Sequence, residues 1–193
     1  MSSIYFKYKN ELHPEKGRLL ISEPHLPDSN FERTVILLCE HNDEGSFGFV
    51  LNKKSRVTLG EILEDQKELT IPVRIGGPVE QNTLHFLHRS DELEGCRPVA
   101  GGVLWGGDFT VLLDWLNNHL LKPDEVFFYL GYSGWSAGQL AEEIEHNSWI
   151  VYESKDLMAI LQTPEDQMWT NILNEMGGRF RMFSKYPEDP RLN

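Results

Sequence analysis

The chain has 193 residues, with 18 Lys+Arg against 30 Asp+Glu and a formal net charge of −12; its pI is near 5.0. That balance excludes a general affinity for nucleic-acid phosphates or anionic membrane surfaces, which require clustered Lys and Arg, although a local basic patch stays open. Hydrophobic residues at 40% and charged residues at 25% are ordinary for a globular protein.

The length suits one domain over residues 1–193, large enough to bury a core without a disulfide staple. Cys39 and Cys96 make neither a disulfide framework nor a zinc motif, which fits a reduced compartment. Met1 to Asn10 lacks the apolar core of a signal peptide. No run approaches the roughly 20 apolar residues of a membrane helix. The expected location is cytoplasmic.

In chain order, Arg18 to Ser22 reads as a strand, followed by a loop with breakers at Pro24, Pro27 and Asp28-Ser29-Asn30. Thr34 to Cys39 is apolar on both faces, which predicts a central strand. The turn chemistry of His41 to Gly45 then leads into a strand over Phe47–Leu51, so an antiparallel hairpin is expected. Thr58-Leu-Gly-Glu61 is a capping box opening a short helix. Strands follow over Pro72–Ile75, Leu84–Arg89 and Val99–Trp105. Asp108 caps a helix with apolar residues Phe109, Leu112, Leu113, Leu116 and Leu120 at helical spacing, stopped by Pro123.

Val126–Leu130 reads as a buried strand, and Gly131 to Trp135 as a loop. Gln139 to His146 is helical, and Trp149–Tyr152 is a short strand. Ser154 is placed to cap a helix through Leu161. Thr163-Pro164-Glu165-Asp166 opens another helix, whose core side is Met168, Ile172, Leu173 and Met176 and whose end is Gly177. The tail from Arg179 suggests an edge strand and then a Pro-containing extended end. An opening hairpin followed by mixed elements predicts an α+β fold: one mixed, largely antiparallel bent sheet with surrounding helices.

The chemistry is sparse. Gly134-Trp-Ser136-Ala-Gly138 matches a nucleophile elbow. In that elbow, however, the serine follows its strand at once, and here only His146 lies downstream, with no group to orient it. Ser136-Ala-Gly-Gln139 reads better as a capping box, with a ligand-contacting hydroxyl and a nucleophile as alternatives. Cys39 and His41, two apart on one strand face, allow a reactive thiol. The competing reading is a small core hydrophobe. His85 and His88 should face opposite sides of their strand. Gly76-Gly77-Pro78 lacks the Lys-Ser/Thr of a phosphate loop and reads as a tight turn. Gly101-Gly102 and Gly106-Gly107 suggest bulges or strand-end turns. No metal site and no cofactor are expected.

Several strings occur together in order: Gly17-Arg-Leu-Leu-Ile21, Leu26-x-Asp28-x-Asn30-Phe-x-Arg33-Thr-Val-x-Leu, Cys39-Glu-His41, Gly48-x-Val50-Leu-Asn52, Gly76-Gly-Pro-Val79 and Gly131-Tyr-Ser-Gly-Trp-Ser-Ala-Gly-Gln-Leu140. With Asn147-x-Trp149, Trp169 and Gly177, they make the chain resemble the YqgE/AlgH family of bacterial proteins over residues 17–178, with extensions over 1–16 and 179–193. The resemblance implies an α+β pseudo-barrel built on a bent sheet. It also implies a role in transcriptional regulation, which the family name carries without an established biochemical activity. The family often has glycine at the position of Ser136, which argues against a nucleophile there.

The expected function is a non-enzymatic regulatory or binding module with an unknown protein or small-molecule partner. The alternatives are direct action on DNA, thiol chemistry at Cys39 and a hydrolase at Ser136. The expected cleft joins Asn30, Arg33, Thr34, His41, Asn52, Tyr132 and Trp135. Arg33 would offer a donor fork for a carboxylate or phosphate. His41 and Asn52 would add directional hydrogen bonds, and the two aromatics would form an apolar wall.

Overall fold

The apolar run after Thr34 becomes β2 (Val35–Asn42), paired antiparallel with β1 (Leu19–Ser22) on one side and β3 (Gly45–Val50) on the other. Its first five residues are buried, as a strand covered on both faces requires. The expected hairpin is therefore present, with a bulge between Leu38 and Glu40. This computed structural model describes residues 8–187, so most of the stretch Met1 to Asn10 and the end of the predicted extended tail lie outside the described residues.

The chain continues as β4 (Lys54–Thr58), α1 (Leu59–Ile62), β5 (Pro72–Ile75), β6 (Val79–His88), β7 (Arg97–Ala100), β8 (Val103–Trp105), α2 (Phe109–Asn117) and a 3-10 turn at Pro123–Glu125. It ends as β9 (Val126–Ser136), α3 (Gln139–Glu145), β10 (Trp149–Tyr152), α4 (Leu157–Gln162), α5 (Glu165–Met176) and α6 (Gly178–Phe183). The strand order is β10-β1-β2-β3-β9-β6-β8-β7, with β5 pairing β9 and β4. Among the described residues, only the β5–β9 pairing is parallel. The fold is α+β with one large, mostly antiparallel sheet that does not close into a barrel.

Strand β9 joins the two halves of that sheet. Its first half pairs with β5 and β6, and its last four residues pair with β3. At the junction the Gly76 amide donates to the Leu130 carbonyl (2.8 Å), and the Gly76 carbonyl accepts from the Val50 amide (2.8 Å). A Cβ on Gly76 would lie 2.3 Å from the Gly131 carbonyl oxygen. Gly76 is therefore glycine because two backbones meet there.

Three cores result. The inner face of the bent sheet packs Leu19, Leu37, Phe49 and Tyr129 against Leu161, Met168, Trp169 and Leu173 of α4 and α5. A second core sets Val73, Phe86 and Phe128 against Leu59, Leu112 and Leu116 of α1 and α2. A third places Leu20, Ile36, Trp135 and Trp149 beneath Leu140 of α3. Among the described residues, no helix is long and apolar enough to cross a membrane.

Several local expectations need correction. Gly131 to Trp135 is strand rather than loop, because β9 runs on to Ser136. Val99–Trp105 is two strands, β7 and β8, split by Gly101 and Gly102 with φ of +56° and +77°. The region predicted as a tail edge strand holds α6, which buries Phe183 against the inner core. Leu120 is 72% exposed, because α2 has already ended at Asn117. Asp156 caps α4 through the Ala159 amide, in place of Ser154. The Thr163 hydroxyl donates back to the Ala159 carbonyl rather than opening α5. The Asp108 cap forms as expected, accepting from Thr110 and Val111 amides.

Candidate functional site

The seven residues expected to line one cleft fall into separate places. Asn52 joins two strands: its Nδ2 donates to the Arg33 carbonyl (2.9 Å) and its Oδ1 accepts from the Val35 amide (2.8 Å). Thr34 is buried, with its amide on Ser22 Oγ (2.8 Å) and its hydroxyl donating to the Phe31 carbonyl (3.0 Å). Asn30 is exposed, and its amide is held by Asp28 (2.8 Å). These three organise the entry into β2. His41 sits in the β2–β3 hairpin with Nδ1 2.7 Å from Ser46 Oγ.

Tyr132 and Trp135 point to opposite faces of β9. The cause is the strand geometry itself: residues three apart on an extended backbone cannot share a face. Trp135 packs with Phe31 and Trp149 in the third core. Its indole N–H donates to Glu143 Oε2 (2.8 Å), and the Trp149 indole N–H donates to the same oxygen (2.7 Å).

Arg33 adopts φ +47°. Its guanidinium lies 5.0 Å from the Trp169 ring centroid, and Nη2 donates to the Tyr186 carbonyl. The Arg33 fork is thus partly engaged by the chain's own C-terminal region. Beside it, His25 stacks on Tyr186 at 5.8 Å. Arg33 Nε, His25 Nδ1 and Glu23 Oε2 are buried without a hydrogen-bond partner among the described residues. Burial raises the Glu23 carboxyl above the usual range, against the lowering effect of the His25 amide hydrogen bond.

Neither nucleophile candidate has an activating environment. Cys39 is buried, and burial pushes its thiol far up, reinforced by the Glu40 charge. A thiolate needs the reverse setting. Ser136 ends β9 at the surface. Its amide and hydroxyl both donate to Gln139 Oε1 (3.0 and 3.2 Å), so half of the expected capping box forms. The N-cap itself is Gly138, at φ +79°.

Tyr132 instead joins an aromatic group on the inner face. Phe47 lies 4.8 Å from Trp105 and 5.1 Å from Tyr132, ring to ring. His85 stands 6.0 Å from Tyr132 and 6.4 Å from Trp105. Phe49 and Tyr129, stacked at 5.2 Å, are buried beneath. Phe47, His85, Trp105 and Tyr132 are half-buried. A cleft of about 240 Å³ adjoins them, lined by His85, Trp105, Leu84 and Arg97. The Arg97 guanidinium lies 5.3 Å from the Trp105 ring centroid and 3.4 Å from Glu40. Burial lowers the His85 pKa, opposed by the Glu80 charge, so burial favours the uncharged ring. The Thr83 hydroxyl contacts its Nε2 at 3.0 Å.

Sequence reading found only Tyr132 of this group. Phe47, His85 and Trp105 lie on three other strands, and only their register brings the rings together. His85 and His88 do face opposite sides, as expected: His88 Nε2 turns to the Gly106 carbonyl (2.8 Å). Among the described residues, no group of three or more His, Cys, Asp or Glu is placed to hold a metal ion.

The AlgH-like family matches residues 19–181. The chain belongs to that family. A UPF0301 protein of Cytophaga hutchinsonii is 46% identical over 180 residues, covering 92% of this chain and 98% of that protein. A UPF0301 protein of Chlorobium luteolum is 42% identical over 178 residues, covering 92% and 94%. Among solved structures, the AlgH protein of Pseudomonas aeruginosa superposes with a TM-score of 0.70 at 26% identity, covering 93% of this chain and 98% of that one. A Corynebacterium diphtheriae protein shares the fold, with a TM-score of 0.73 at 20% identity, covering 93% and 95%.

Proposed function

We propose that this AlgH-like protein is a non-enzymatic binding module that acts in regulation through a partner molecule rather than by direct contact with DNA. The observation that carries the reading is the half-buried group of Phe47, His85, Trp105 and Tyr132 beside the Arg97 cleft. Aromatic rings and Arg held on rigid strands are what recognition surfaces use for anchoring. His85, whose burial favours the uncharged ring, adds a directional hydrogen-bonding group. The ligand class is a planar apolar group, carried by a small molecule or by a protein side chain. The formal charge of −12 disfavours DNA as that partner. The burial of Cys39 and the poor setting of Ser136 argue against the two enzyme readings.

Native mass spectrometry of the protein purified from its own cells tests this, beside Trp105→Leu and Tyr132→Leu. The expected result is a molecule bound to the parent and lost from both variants, with thermal melts that still show a cooperative fold. A parent that carries nothing, or variants that retain the molecule equally, would remove the aromatic surface from the function.

A further inference from the structure

The second core is not fully covered by its helices. Ile75 and Leu130 are cross-strand partners on β5 and β9, on the same face as the buried Val73 and Phe128. Helices α1 and α2 cover the buried part, yet Val57, Ile75 and Leu130 stay half-exposed. They form the floor of a cleft of about 380 Å³, walled by Lys54, Ser55 and Arg56 of β4 and by Gln81 of β6. That size suits a small organic molecule.

The charge of this wall is unusual for the chain. Residues 45–60 contain no Asp or Glu but hold Lys53, Lys54 and Arg56, in a protein with 30 acidic residues. Arg56 is exposed and forms no ion pair among the described residues. Lys54 reaches Glu165 at 3.6 Å, but its side chain is 65% exposed, so that contact is weak and exchangeable. The wall is nevertheless fixed in place. The Ser55 hydroxyl bridges the bulge between β4 and β5 through the Val73 carbonyl, and Lys54 and Arg56 ride on that bulge.

We propose that this cleft is a binding site for a small amphipathic anion, a carboxylate or phosphate-ester head on an apolar body. The head meets Lys54 and Arg56, and the body covers Val57, Ile75 and Leu130. A bare anion would leave the apolar floor in water, and a neutral apolar molecule would forgo the two cations. A nucleic-acid backbone fits less well, because it needs a track of cations. Here Lys53 is turned away, its Nζ donating to the Ser29 and Asn30 carbonyls (2.7 and 2.9 Å).

The test is an amide-correlation NMR titration of the full chain with octanoate. Octanol, inorganic phosphate and a short DNA duplex serve as parallel probes at constant ionic strength. Octanoate is expected to give saturable shifts at the amides of residues 54–57, Ile75 and Leu130. Octanol and phosphate are each expected to bind about tenfold or more weakly. Lys54→Gln combined with Arg56→Gln should weaken octanoate by about tenfold, which corresponds to about 1.4 kcal/mol, and the rest of the spectrum reports that the fold is kept. Four outcomes would overturn the proposal: no saturable shifts with octanoate, equal affinity in the double variant, phosphate binding as tightly as octanoate, or duplex DNA binding more tightly at the same amides. Octanoate shifts confined to the Trp105 and His85 surface would also overturn it, while leaving the proposed function standing.

Discussion

Glu143 lies on an exposed helix, where a carboxylate would ordinarily be worth little, yet it holds two tryptophans. Its Oε2 accepts both indole N–H groups, from Trp135 at 2.8 Å and Trp149 at 2.7 Å. The two residues are only 6% and 1% exposed, so both indole N–H groups rely on this carboxylate. Removing a partner from a buried donor costs roughly 1–3 kcal/mol for each group stranded. Two stranded donors put Glu143→Ala at about 3 kcal/mol. Glu143→Gln keeps one carbonyl oxygen for both indoles but loses the charge and the acceptor that Oε1 offers Gln139 Nε2 (3.0 Å), at a cost of about 1 kcal/mol. Urea unfolding followed by tryptophan fluorescence, with circular dichroism beside it, measures both. The decisive control is Trp149→Phe, which removes one donor. In that background Glu143→Ala should cost about 1.5 kcal/mol less, since neighbouring partners are not additive. A cost for Glu143→Ala within about 0.5 kcal/mol of zero, or one undiminished by Trp149→Phe, would refute the reasoning.

Other expectations follow from the same geometry. Burial raises the Glu23 carboxyl, so the folded state binds that proton more tightly than the unfolded chain does. The resulting penalty is absent below the ordinary carboxylate range and grows as pH rises through the raised folded value. Glu23→Gln should therefore be more stable than the parent at neutral pH, with the gap closing on acidification; a pH-independent gap in urea midpoints would contradict this. Ser136→Ala should cost under about 0.5 kcal/mol, as at an ordinary surface site. Gly138→Ala, at φ +79°, should cost about 1–2 kcal/mol, and the reverse order in denaturant melts would restore Ser136 as the cap. A thiol reagent should label one cysteine per native chain, at half-buried Cys96, and reach Cys39 only after unfolding.

What the sequence made legible was local. The β1–β3 strands carry apolar runs whose period and flanking turns decide them, and Asp108 announces its helix because a cap acts within three residues. The errors fall where distant contacts decide. Gly131 and Gly134 read as loop residues because glycine weakens an isolated strand. In the fold Gly131 is buried at φ +66°, and a Cβ there would lie 2.6 Å from the Val79 carbonyl oxygen. It is glycine because β6 crosses close to β9. Strand β4 gave no signal at all: Lys54-Ser-Arg56 has no apolar alternation, and its strand state comes from pairing with β5. Helix α6 follows from the burial of Phe183, which periodicity over six residues cannot reveal.

The expected grouping of the seven residues into one cleft also turns on distant contacts, and the structure spreads them over separate places. Asn30, Thr34 and Asn52 form distinctive motifs because their geometry is exacting, and their contacts organise the start of β2. Asn52 satisfies one donor and one acceptor of the backbone there, and buried backbone groups demand such partners. By holding β2 in register, those residues hold β3, and β3 sets Phe47 and Phe49 against β9. The aromatic surface at Trp105 and Tyr132 thus depends on residues that do not touch it. An Asn52→Ala variant should therefore strand the Val35 amide and the Arg33 carbonyl, at a cost of about 2 kcal/mol. It should also move the Trp105 indole resonance, although Asn52 has no hydrogen bond to Trp105. A destabilised Asn52→Ala protein whose Trp105 resonance stays in place at a temperature well below its melt would break that link and leave the two regions independent.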